Sequence, residues 1–175
     1  METIKGLKRT NYCGELRIED AGKEVTLFGW CQRQRDLGNL IFIDLRDRTG
    51  LVQLSFNDTT DREVFAKAQS VRAEYVVAAV GTVCERESKT NKIATGDIEI
   101  NVKEFRIISK AETPPFEIAK SEKVGDETTL KYRYLNLRNE KLTQNILMRH
   151  KIAKIAREYF YDNDFIEIET PMMIK

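Results

Sequence analysis

At 175 residues, the chain has room for one compact domain and part of another. With 41% apolar and 33% charged residues it can form a hydrophobic core, which excludes a largely disordered protein. A net charge of only +1 means that a nucleic-acid partner would have to be bound by local groups rather than by a strong overall field.

Residues 1–23 are predicted to be a polar lead-in without the apolar block of a signal peptide. No apolar run approaches the roughly 20 residues of a membrane span, so we expect a cytoplasmic protein without a membrane partner. The odd number and wide spacing of Cys13, Cys31 and Cys84, with a single histidine, favour reduced thiols over disulfides or zinc. No metal site is therefore expected.

Residues 24–56 are predicted to form three short antiparallel strands. Apolar residues alternate with polar ones near Val25, from Ile41 to Leu45 and from Val52 to Phe56. Turn-forming residues separate the strands at 36–39 and 47–50. This pattern indicates a curled meander.

Alternation along the second strand places Phe42 on its outer, mostly polar face. In the third strand Leu51, Gln53 and Ser55 are expected outside, with Gln53 opposite or diagonal to Phe42. A ring beside an amide can stack a base and read its edge, as in single-stranded nucleic-acid binding. The alternative is a single exposed phenylalanine under a neighbouring loop, which is ordinary on protein surfaces.

The next elements complete a five-stranded barrel. Residues 60–72 show helical spacing behind a Thr or Asp N-cap, and residues 74–83 form a nearly continuous apolar strand. Residues 97–108 alternate cleanly, with Glu99 outward, until the phase slips at Lys103 and Glu104, which indicates a bulge. Three strands, one helix and two further strands describe a mainly β, Greek-key OB-fold.

The sequence pattern changes after the barrel. Pro114 and Pro115 interrupt the pattern, and helical periodicity returns from Asn139 to Asp162 before a strand that begins at Phe165. We predict an OB domain over 1–111, a hinge over 112–138, and over 139–175 the first helix and strand of a truncated α+β domain.

These residues together resemble the N-terminal part of bacterial-type aspartyl-tRNA synthetases. The resemblance extends along the whole chain and is carried by the meander, TGDIEI at 95–100, the proline hinge, RYLNLR at 133–138 and FIEIETPMM at 165–173. The last segment resembles motif 1 of class II synthetases, with Pro171 at the motif's proline. Two departures are Asn136, where the family usually has Asp, and Asp164, where it usually has Gly.

The resemblance implies an anticodon site. Phe42 would stack a base, Gln53 and Glu99 would hydrogen-bond base edges, and Arg35 would hold a phosphate or a base edge. Arg33 would be a supporting contact. Simple alternation from Val25 would point both arginines inward, so we predict a bulge near Gly29, or a strand that leaves the barrel, to release them.

The resemblance also implies the activity of a longer protein. The parent would be an aspartate-tRNA ligase that uses ATP and Mg²⁺ and forms a homodimer through motif 1, including Phe165, Ile168 and Pro171. The 175 residues lack the family's motifs 2 and 3, so we expect no catalytic residue, no cofactor and no ligase activity in this fragment. Alternatives are an asparaginyl- or lysyl-tRNA synthetase, a general single-strand-binding OB protein, and a synthetase-derived structural or regulatory protein.

Overall fold

The computed structural model describes residues 2–172 and divides the chain into two compact units, one ending at Pro114 and the other beginning at Pro115. Met173, part of the motif 1 resemblance, lies outside the described residues, as do residues 174 and 175. The domain limits 1–111, 112–138 and 139–175 stay a prediction.

The first unit is a closed five-stranded barrel, which confirms the predicted OB-fold. Its strands adjoin in the order β1-β2-β3-β5-β4. All neighbours are antiparallel except β3 and β5, which pair in parallel through three residues. The strands are β1 (Glu24–Asp36), β2 (Ile41–Arg46), β3 (Leu51–Phe56), β4 (Val76–Glu85) and β5 (Ile98–Ser109).

One helix, α1 (Arg62–Ser70), connects β3 to β4. Asp61 is its N-cap, since its carboxylate accepts hydrogen bonds from the backbone N–H groups of Glu63 and Val64. Ala68 and Val71 are buried, as the helical spacing predicted. The strand predicted from residue 74 begins instead at Val76, because Glu74 has a left-handed backbone (φ +64°) that cannot continue a strand.

The barrel interior contains the predicted inward residues of the meander. Ile41, Ile43 and Leu45 are completely buried, and so are Val52, Leu54 and Phe56. Phe56 meets Phe105 edge to face, with ring centroids 5.2 Å apart. Burial also raises the pKa of the Cys31 thiol to about 12, so that it stays protonated as an apolar core residue.

The predicted bulge in β5 is present. Val80 pairs with Glu104 and Gly81 with Val102, which leaves Lys103 as the extra residue. Ile98, Ile100 and Val102 therefore point inward before the bulge, and Phe105 and Ile107 after it.

The second unit is helical. A 3-10 turn (Ile118–Lys123) precedes α2 (Asp126–Lys131), α3 (Arg133–Asn136) and α4 (Glu140–Asp162). A small cluster packs around Phe116, Ile118 and Leu135. Asn139 is the N-cap of α4, and its amide also donates to the carbonyl of Ile118 at 3.2 Å.

The strand predicted after α4 is not formed within the described residues. Residues 165–170 have no regular secondary structure, and no strand pairing among the described residues includes them. Helix α4 ends in a Schellman motif, in which Phe165 N–H bonds to the Phe160 carbonyl at 3.0 Å and Asp164 N–H to that of Tyr161 at 3.2 Å. Asp164 occupies the left-handed position of this motif, with φ +63°.

Candidate nucleic-acid interface

A bulge in β1 turns the predicted arginines outward. Cys31 pairs with Leu45 and Arg33 with Asp44, so Gln32 is the extra residue. Beyond it Gln34 takes the inward position opposite Ile43, while Arg35 lies outside, opposite Phe42. The bulge that the sequence required is therefore present, three residues later than the predicted position near Gly29.

Phe42 and Gln53 lie diagonally on the outer face of β2 and β3. Phe42 pairs with Ser55, and Gln53 pairs with Asp44. On the far side of β3, Gln53 is level with Glu99 of β5. Three adjacent strands thus bring side chains that are distant in sequence into one row.

Gln53 and Ser55 lie on the predicted outer face but are covered by neighbouring groups. Both side chains are on the outer face, but each residue is only 3% accessible. Neighbouring charged side chains cover Gln53, and the Ser55 hydroxyl donates to the Ile100 carbonyl at 3.2 Å. Alternation along a strand predicts the face of a residue but not what folds over it.

Gln53 is the centre of a hydrogen-bonded network. Its Oε1 accepts from Arg35 Nη2 at 2.9 Å and from Arg86 Nη2 at 2.7 Å. Its Nε2 donates to Glu99 Oε2 at 2.8 Å, which fixes the orientation of the amide. Arg35 Nη2 also donates to Asp44 Oδ1 at 3.0 Å. We call Arg35, Asp44, Gln53, Arg86 and Glu99 the Gln53 network.

Phe42 is the aromatic wall of this site. The guanidinium carbon of Arg35 lies 5.4 Å from the centroid of its ring, within cation–π range. The Nε of Arg35 is buried without a hydrogen-bond partner among residues 2–172, so one donor beside the ring is unsatisfied. The structure therefore brings together all four principal residues predicted for the site, Arg35, Phe42, Gln53 and Glu99.

Two members of the network were not among the predicted site residues. Arg86 directly follows β4 in a charged loop, and its role depends on the pairing of β4 with β5, which the local sequence does not reveal. Asp44 was placed on the outer face by alternation, but its pairing with Gln53 was the missing signal.

The other predicted residues do not join this network. Arg33 is exposed on the same stretch of β1, opposite Asp44. Phe165, Ile168 and Pro171 belong to the second unit and are exposed.

The described residues contain no group of three potential metal-ligating side chains among His, Cys, Asp and Glu. None of the helices in residues 2–172 is long and apolar enough to cross a membrane. The candidate interface therefore offers a ring, two guanidinium groups, an amide and carboxylates on an open face. These groups suit stacking and hydrogen bonding to unpaired bases.

Comparisons with known proteins agree with this chemistry. Residues 25–108 match the family model of the OB-fold nucleic acid binding domain, and residues 125–175 match that of the class II tRNA synthetases (D, K and N). The chain thus contains an OB-fold nucleic-acid-binding domain followed by a part that matches class II tRNA synthetases.

Within that class, its sequence relatives are aspartate–tRNA ligases. The chain is 52% identical to the aspartate–tRNA ligase of Ruminiclostridium cellulolyticum and to the aspartate–tRNA(Asp/Asn) ligase of Caldanaerobacter subterraneus subsp. tengcongensis. Each alignment covers 99% of this chain but 30% of the relative, so the chain spans about a third of the length of these proteins.

A similar solved structure is the aspartyl-tRNA synthetase of Entamoeba histolytica, with a TM-score of 0.86 and 27% identity over 95% of this chain and 40% of that one. The asparaginyl-tRNA synthetase of Pyrococcus horikoshii is similar too, with a TM-score of 0.79 and 28% identity over 94% and 38% of the two chains. The chain thus corresponds to the N-terminal, OB-fold region of an aspartate–tRNA ligase.

Proposed function

We propose that the barrel reads the anticodon of tRNA(Asp). The observation that carries this proposal is the Gln53 network beside the Phe42 ring, in which donors and an acceptor are held next to a stacking surface. The similarity of the chain to tRNA synthetases identifies a tRNA as the expected RNA.

Each side chain has a role that follows from its chemistry. Phe42 stacks on an anticodon base, because every base presents a π face. Glu99 accepts from a base amino or imino group, and Arg35 donates to a base edge or a phosphate. Arg33 is a supporting contact.

The role of Gln53 includes an exchange of partners. Both lone pairs of its Oε1 are used by Arg35 and Arg86, and one N–H of its Nε2 by Glu99, so a base that donates to Oε1 must replace one of the arginines. An RNA that makes this exchange leaves a guanidinium free to make its own contact. The contact that Gln53 makes with a base would therefore be coupled to the contacts that its former partners make with the RNA.

The complete protein would attach aspartate to tRNA(Asp) through an aspartyl-adenylate, in the cytoplasm, with ATP and Mg²⁺. These steps belong to parts of the synthetase that the present sequence does not contain, so the 175-residue chain is expected to bind RNA without ligase activity. The aspartate–tRNA ligase names of its relatives support this assignment.

The test is binding of an anticodon stem-loop bearing GUC, compared with a hairpin of scrambled loop sequence. Phe42→Ala should weaken binding of the GUC hairpin by roughly ten- to a hundredfold, because a stacked base contributes about 1–3 kcal/mol. Ile4→Ala, at an exposed apolar residue outside the network, is the control and should bind normally. Equal affinities of the wild-type chain for both hairpins would refute anticodon reading, and a large loss of thermal stability in Phe42→Ala would place the ring in the core.

We also infer that the complete protein forms a homodimer through α4 and the segment that follows it. No residue of α4 is buried, and Ile152, Ile155 and Tyr159 are each at least 60% exposed along one side of the helix. Packing against the same stripe of a second chain would bury this apolar surface and stabilise the helix.

Sedimentation of the 175-residue chain beside a version that ends at residue 111 tests the pairing. The longer chain should dimerise, and Ile152→Glu/Ile155→Glu should make it monomeric. His150→Glu, on the opposite side of α4, is the control. A monomer at all concentrations, with amides of residues 139–171 protected from exchange, would contradict the interface.

A further inference from the structure

A second cationic feature lies outside the Gln53 network. The guanidinium carbons of Arg9 and Arg48 are 4.7 Å and 4.5 Å from the centroid of the Tyr12 ring, so two arginines share one aromatic side chain. Arg9 also lies 5.5 Å from the ring centroid of Phe28, and its Nη2 donates to the Phe28 carbonyl at 3.3 Å. We call Arg9, Tyr12 and Arg48 the Tyr12 stack.

The charges of the stack are not neutralised within the described chain. Both arginines are exposed, and neither forms a salt bridge with a carboxylate of residues 2–172. The nearby carboxylates are engaged elsewhere: Glu15 accepts from the backbone N–H of Tyr12 at 3.1 Å, and Asp47 from that of Cys13 at 2.7 Å. Two guanidinium groups held close together without anions are an anion-binding arrangement.

The segment that carries Arg9 and Tyr12 is fixed to the barrel, so the arginines are preorganised. Thr10 exchanges hydrogen bonds with Thr26 of β1, at 3.1 Å and 2.9 Å. Gly14 N–H donates to Thr49 Oγ1 at 2.8 Å in the β2–β3 turn. A side chain at Gly14 would meet the Thr49 carbonyl at 2.3 Å, so this close approach requires glycine.

The stack lies beyond the end of the strand that contains Phe42. Outward residues of β2 have even numbers from Phe42 to Arg46, and Arg48 follows in the turn after the strand. At about 3.3 Å per residue, the end of β2 at Arg46 is roughly 13 Å from Phe42. An RNA bound at Phe42 can reach both places.

We propose that the Tyr12 stack binds backbone phosphates of the RNA whose loop occupies the Gln53 network. Arginine recognises phosphate by paired N–H donors. Stacking on Tyr12 leaves the edge of the Arg48 guanidinium open to those contacts, and Arg9 keeps the donors other than the Nη2 group that bonds to the Phe28 carbonyl. Such contacts position the RNA and carry no sequence information. This proposal rests on the proposed function for the choice of RNA, but it makes a separate prediction about salt dependence.

The experiment measures binding of the GUC hairpin and of the scrambled-loop hairpin between 50 and 200 mM salt. Arg9→Gln and Arg48→Gln should each lower affinity for both hairpins equally, by roughly sixfold at 0.1 M salt. Each should reduce the slope of log K against log[salt] by about 0.7–0.9, and the double variant by about twice that amount. Arg62→Gln, an equal change of charge at the exposed start of α1, is the matched control.

The outcomes separate this proposal from anticodon reading. If Arg48→Gln has the affinity and salt slope of Arg62→Gln, the stack is only a structural contact and the proposal fails. A lower slope with undiminished preference for GUC supports both proposals, and a lower slope without any preference supports the stack alone. Arg48 lies in an exposed turn, so its variant decides the case even if Arg9→Gln lowers stability.

Discussion

Gln53→Met should both destabilise the barrel and abolish discrimination between anticodons. Methionine is similar in volume and unbranched, so it preserves the packing of a residue that is 3% accessible while it removes the carbonyl and amide groups. The substitution deletes three hydrogen bonds, to Arg35, Arg86 and Glu99. It also leaves their charged groups without a common partner.

The expected loss in the free energy of unfolding follows from these three hydrogen bonds. A hydrogen bond contributes about 0.5–1.5 kcal/mol to stability, and somewhat more when one partner is charged. The Arg35 side chain is 36% exposed and can turn toward water, so we take the lower part of this range for each bond. The free energy of unfolding should fall by about 2 kcal/mol, which corresponds to roughly 8–16 °C in Tm for a domain of this size.

Thermal melts and hairpin titrations measure the two effects. Gln69→Met is the matched control, because Gln69 is exposed and its amide makes only a 3.4 Å contact with Asp36. The preference for GUC over a scrambled loop should disappear in Gln53→Met while the salt slope persists. A Tm equal to that of Gln69→Met would show that the network contributes nothing to folding, and an unchanged preference would remove Gln53 from anticodon reading.

Two further predictions concern Asp47 and Asp164. Burial raises the pKa of Asp47, but hydrogen bonds from Cys13 and Thr49 outweigh burial and hold that pKa below its usual value. The stability it provides is therefore present at neutral pH and lost as pH falls through the lowered pKa. Asp47→Asn should cost about 1 kcal/mol at pH 7 in urea melts, and this cost should shrink progressively below about pH 4, the ordinary pKa of an aspartate. A pH-independent cost would contradict the reasoning. Asp164→Gly should stabilise the end of α4 by about 0.5–1 kcal/mol in amide exchange, because glycine adopts φ +63° without strain, whereas Asp162→Gly inside the helix should do the opposite.

Local patterns predicted the barrel well because alternation and turn residues act over short distances. The burial of Ile41 and Leu54, the outward position of Glu99 and the bulge in β5 all follow from parity. The Gln53 network does not, because it requires the parallel contact between β3 and β5 and the return of Arg86 from the β4–β5 loop. Parity therefore predicted the face on which Gln53 lies but could not predict its burial.

The second unit shows a different limit of prediction from sequence patterns. Periodicity located α4 over residues 139–162, since this signal is local, and the structure makes Asn139 its N-cap. Residues 165–170 have the alternation of a strand, but a strand also needs a neighbour, and a pattern cannot supply one. The short helices α2 and α3 lie in a stretch with few apolar residues, so helical periodicity is hard to detect there.

The position of the bulge at Gln32 decides which face of β1 the arginines occupy. If all residues of β1 paired regularly, Gln32 would lie opposite Asp44 and Arg35 opposite Ile41, so Arg35 would point into the barrel. Deletion of Gln32 would instead keep Arg33 opposite Asp44 and Arg35 opposite Phe42, so both arginines should stay outside on a regular strand. Moving the extra residue beyond Arg35 would turn the arginine inward, which offers a way to re-aim it without redesigning the core.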